Sequence, residues 1–67
     1  MAAFRIYLMG QTQPLDVDLD FRSLNELATE SSRAKFLIGH LTTPDEGGVC
    51  LGVMIAANRI QCVIEVN

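Results

Sequence analysis

Sixty-seven residues confine the chain to one domain, because independently folding units rarely fall below about 50 residues. With 49% hydrophobic and 19% charged residues it is too apolar for intrinsic disorder, yet no apolar run approaches the roughly 20 residues that cross a bilayer. The net charge of −3, with Arg5, Arg22, Arg33, Lys35 and Arg59 dispersed along the chain, argues against the basic stripe of a non-specific nucleic-acid binder.

A domain this small rarely draws more than about 3–5 kcal/mol from its own core without a disulfide, a metal or a partner subunit. The start Met-Ala-Ala-Phe-Arg-Ile lacks a basic region followed by an uninterrupted apolar segment, so a cytoplasmic protein of bacterial type is expected.

Phe4, Ile6 and Leu8 alternate with Arg5, Tyr7 and Met9, which predicts a half-buried strand over residues 3 to 9. Gly10 to Pro14 supplies turn residues. Leu15, Val17, Leu19 and Phe21 then alternate with Asp16, Asp18 and Asp20, a second strand forming a hairpin with the first. Matching the apolar faces asks paired positions to sum to 23 or 25, with Arg5 opposite Asp18 or Asp20. Ser23-Leu24-Asn25-Glu26 is a capping box, and Leu24, Leu27 and Ala28 share a face, which predicts about three turns of helix reaching Ala34.

Lys35 to Leu41 reads as a third strand. Phe36, Ile38 and His40 on one face and Leu37, Gly39 and Leu41 on the other leave neither side polar, as expected of a strand buried twice. Val49 to Ala56 and Ile60 to Val66 read as a tight hairpin around Ala57-Asn58, positions summing to 115 facing one another. Val49, Leu51, Val53 and Ile55 would then share an apolar face with Ile60, Cys62, Ile64 and Val66. Cys50, Gly52, Met54, Ala56, Arg59, Gln61, Val63 and Glu65 would occupy the other. Cys50 and Cys62 fall on opposite faces and are read as free thiols. The expected fold is α+β in the order β-β-α-β-β-β, a curled antiparallel sheet or small partly open barrel with one helix packed on it. Short β-rich modules such as Sm-like and SH3-like barrels are similar in size and in the closing hairpin. The Sm-like pattern, however, places its helix before the first strand.

The three aspartates suit a solvated strand blunted against edge-to-edge aggregation, because a strand spaces such carboxylates nearly 7 Å apart in a line rather than around an ion. His40, Asp45 and Cys50 hold the residue types of a thiol nucleophile with its base and orienting acid, but so short a chain has little volume for a pocket and an oxyanion hole. No catalytic residue, cofactor or metal ligand is assigned. Asp45-Glu46-Gly47-Gly48 precedes a strand rather than a helix, which makes it a turn and not a phosphate loop.

Arg59 would project from a hairpin tip, and Tyr7 and Met54 are read as interface residues. With no staple in the sequence, the expectation is a homo-oligomeric, non-enzymatic interaction or regulatory module without membrane association. A protein partner is also possible in this reading. Tyr7, His40, Cys50, Met54, Arg59 and Val63 are its interface candidates. The alternatives are a nucleic-acid-binding oligomer with an arginine ring and a small-ligand protein with an interfacial site.

Overall fold

A computed structural model describes residues 2–66. The alternation at the start of the chain becomes β1, Ala2–Leu8, with Ala2, Phe4 and Ile6 buried. The acidic alternation becomes β2, Leu15–Leu19, with Val17 and Leu19 fully buried. Their register sums to 21, pairing Ile6 with Leu15 and Arg5 with Asp16, rather than 23 or 25. The parity is as the apolar faces demand. The offset arises because residues beyond Ile6 leave β2 and turn at Gly10, whose φ of 83° lies in the left-handed region open to glycine.

Helix α1 spans Leu24–Ser31 and is capped as its sequence specifies, the Glu26 amide donating to Ser23 Oγ at 3.2 Å. The Glu26 carboxylate reaches back to the Arg22 amide at 3.2 Å. The helix stops short of Ala34. Thr29, Ser31 and Ser32 each donate a hydroxyl to a carbonyl of the preceding turn, a competition with the helical backbone that disfavours its continuation. Leu27 alone among the helical residues is buried, seated in the core beside Phe4, Leu19, Leu37 and Ile55.

Strand β3, Phe36–Leu41, is followed by β4, Gly52–Ala56, a 3₁₀ turn at Ala57–Arg59 and β5, Ile60–Glu65. The five antiparallel strands form one sheet in the order β4-β3-β2-β1-β5, and the sheet is not closed. The expected β4–β5 hairpin is therefore overturned: the two strands occupy opposite edges. A two-residue hairpin loop of the favoured type needs positive φ at both central positions. Among the described residues no non-glycine residue has positive φ, and Ala57-Asn58-Arg59 winds instead into a turn that carries the chain from one edge to the other.

The inner face gathers Ala2, Phe4, Ile6, Val17, Leu19, Leu37 and Ile55. Gly39 is required there. A Cβ at this position would run into the Asp18 carbonyl oxygen and come within 2.5 Å of Leu19 Cδ2. On β5 Ile60 packs against the core as expected, but past the register shift beside it the faces are exchanged, with Val63 packed against the core and Cys62 and Ile64 exposed. Strand β3 is buried on one face only, because Phe36, Ile38 and His40 lie on the open side. The acidic strand β2 lies between β1 and β3 and so guards no edge.

Candidate functional site

The outer face of the sheet is divided by charge. At its centre Arg5 Nε donates to Asp16 Oδ1 at 2.9 Å and Nη2 to Oδ2 at 3.4 Å, a fork-on-carboxylate pair across β1 and β2. The hydrogen bond to Asp16, and then its charge, raise the Arg5 pKa above its ordinary value. Asp18 stands opposite His40 on β3.

Toward the β4 edge the surface becomes apolar. Ile38 pairs with Met54, Phe36 with Ala56 and His40 with Gly52, and Ile38, Met54 and Phe36 are 75%, 63% and 50% exposed. Large apolar side chains grouped in this way are unusual on a surface that meets only water. This is the feature that the sequence located only in part. Met54 and His40 are among the interface candidates, whereas the two-sided apolar pattern of β3 puts Phe36 and Ile38 on a covered face.

The other candidates are separated from this patch. Tyr7 lies on β1 opposite Cys62 of β5. Val63 faces inward. Arg59 ends the 3₁₀ turn, its carbonyl accepting the Met9 amide at 2.8 Å, and its exposed side chain forms no ion pair among the described residues. Arg22 and Arg33, by contrast, pair with Glu26 and Glu30.

Asp45 folds the loop before β4. Its Oδ1 accepts the amides of Gly47 and Val49, both at 2.9 Å, and Gly48 takes a φ of 81°. This turn holds Val49 to Leu51 out of the strand that the sequence extended to Val49. The Asp45 carboxylate is thus engaged with backbone, while Cys50 Sγ points at the Thr42 carbonyl at 3.9 Å. Among the described residues no hydrogen bond joins either side chain to His40, and no group of three His, Cys, Asp or Glu side chains is placed to hold a metal ion. Cys50 and Cys62 are free and exposed. They lie toward opposite edges of the sheet rather than on opposite faces of one hairpin.

Sequence reasoning also missed Glu65. Its carboxylate accepts the Leu24 amide at 3.3 Å, closing the first turn of α1 from β5. An open depression of about 540 Å³ lies between the end of α1 and the β4 end, lined by Ser31, Lys35, Phe36, Ala57 and Asn58 among others. No described helix is long and apolar enough to cross a membrane.

No protein-family model, no curated protein and no solved structure matches the chain. Its functional reading rests on this geometry.

Proposed function

We propose that the chain is a non-enzymatic, self-associating interaction module, and that the apolar patch on the outer side of β3 and β4 is where it associates. The carrying observation is the exposure of Phe36, Ile38 and Met54 side by side on adjacent strands. Water-facing apolar area of this kind is stabilised by removal into a contact, at about 25 cal/mol per Å². The strands beside the patch support the reading. The acidic side chains and the Arg5–Asp16 pair lie on the neighbouring strands, where they form a polar margin to the patch. Arg5, Arg22 and Arg33 are paired with carboxylates, which leaves little free positive charge for a phosphate backbone.

Sedimentation equilibrium of the chain and of Ile38→Lys tests the proposal. The parent chain is expected to show a concentration-dependent mass above the monomer, and the variant a monomer with an unchanged fold. A monomeric parent across the micromolar range would overturn it.

A further inference from the structure

The alternation of ladder hydrogen bonds along β4 identifies how two copies would join. Just beyond the strand ends, the Leu41 amide donates to the Leu51 carbonyl and the Ala57 amide to the Lys35 carbonyl, both at 2.9 Å. These bonds set the phase of the β3–β4 ladder. Val53 and Ile55 direct their backbone groups toward β3, so Gly52, Met54 and Ala56 direct theirs to the free edge. That edge contains no charge, no proline and no bulge, the usual devices by which an edge strand avoids pairing.

The opposite edge is protected. Strand β5 carries a register shift opposite Tyr7 and Leu8, and Glu65 is tied to the start of α1.

Building on the self-association proposed above, we infer that the partner is a second copy of this chain, whose β4 pairs antiparallel with β4 of the first about a two-fold axis through Met54. The row is self-complementary in this register. The two Met54 residues exchange N–H···O bonds, and each Ala56 amide meets the Gly52 carbonyl of the other copy. The Ala56 carbonyl stays with its own 3₁₀ turn. Gly52 and Ala56, the residues on either side of Met54 in the edge row, are small.

On the outer face, the pairing joins Ile38, Met54 and the second Met54 and Ile38 into one apolar row. Charge favours the same arrangement. Five strand spacings of about 4.8 Å, at most about 24 Å along the curled sheet, separate the two acidic β2 strands, so these do not face one another across the pairing. The antiparallel sense also brings the Arg59 end of one β4 toward the turn of the other that carries Glu46, and among the described residues of one copy neither side chain has an ion-pair partner.

The test is a charge exchange at the axis. Met54→Lys and Met54→Glu are each expected to be folded monomers, since like charges face one another. Their equimolar mixture should dimerise at least about tenfold more tightly than either alone. A mixture no tighter than its components, or single variants that associate like the parent, would overturn the two-fold pairing. Association that survives both substitutions would leave the broader self-association standing, whereas a monomeric parent would remove both. A second measurement covers loss of fold in either variant. In a mixed-label sample of the parent, the register predicts an intermolecular NOE between Val53 Hα and Ile55 Hα, and its absence from an associated sample would equally refute the pairing.

Discussion

Met54 on β4 lies directly across the ladder from Ile38 on β3, and both side chains stand on the open side of the sheet with most of their surface in water. Neither contributes to the monomer's core, which lies on the other face. Substitution of Ile38 by Thr should therefore change the unfolding free energy of the dilute monomer by no more than about 0.5 kcal/mol while weakening association. Urea unfolding at low concentration, beside sedimentation at high concentration, separates the two effects. A large loss of monomer stability would mean that Ile38 is packed within its own chain.

The two glycines of the β3–β4 pair should behave in opposite ways. Gly39→Ala forces a methyl against the Asp18 carbonyl and the Leu19 side chain, and should cost about 1–3 kcal/mol. At Gly52 the nearest atom to an added Cβ is the Gly39 carbonyl oxygen at an ordinary 3.8 Å, so Gly52→Ala should be close to neutral. Chemical denaturation of both variants checks the contrast.

The start of α1 is held twice, by Ser23 within the helix and by Glu65 from β5. Ser23→Ala should cost about 1 kcal/mol, as the loss of an N-cap hydroxyl does elsewhere. Glu65→Gln should cost less, because its bond is long and exposed. Thermal melts of the single and double variants should give losses that are not simply additive, since both act on one helical turn.

Asp16→Asn should lower stability, and the loss should shrink as salt is added, because the Arg5–Asp16 pair is partly open to solvent. The Arg5 pKa is raised in the folded chain. Its contribution is thus fully present below the ordinary arginine range and disappears only as pH rises through the folded value. Arg5 should consequently add no pH dependence to stability near neutrality. Melting temperatures of parent and variant across neutral pH and ionic strength test both points.

Local chemistry was legible from the sequence where local chemistry decides the structure. The alternation around Phe4 and Val17 and the Ser23–Glu26 cap appear as read, and so does the order of elements. Partner choice was not legible. Val53 and Ile55 present the same apolar alternation to any neighbour, and only the fold assigns them to Gly39 and Leu37 rather than to β5. Ala57-Asn58 resembles a hairpin loop in composition, but at these positions the backbone keeps negative φ and turns away. The candidate surface was half visible for the same reason. Met54 was singled out, but its neighbour Ile38 could be recognised as exposed only once β3 was known to carry a core on one side alone.

Amide hydrogen exchange along β4, followed as a function of protein concentration, tests the central claim most directly. Val53 and Ile55 bond to β3 within one copy and should exchange slowly at every concentration. The Met54 and Ala56 amides point to the free edge, and should exchange rapidly in dilute solution and become protected as the protein is concentrated. Rapid exchange of Met54 and Ala56 at concentrations where the mass exceeds the monomer would contradict the account.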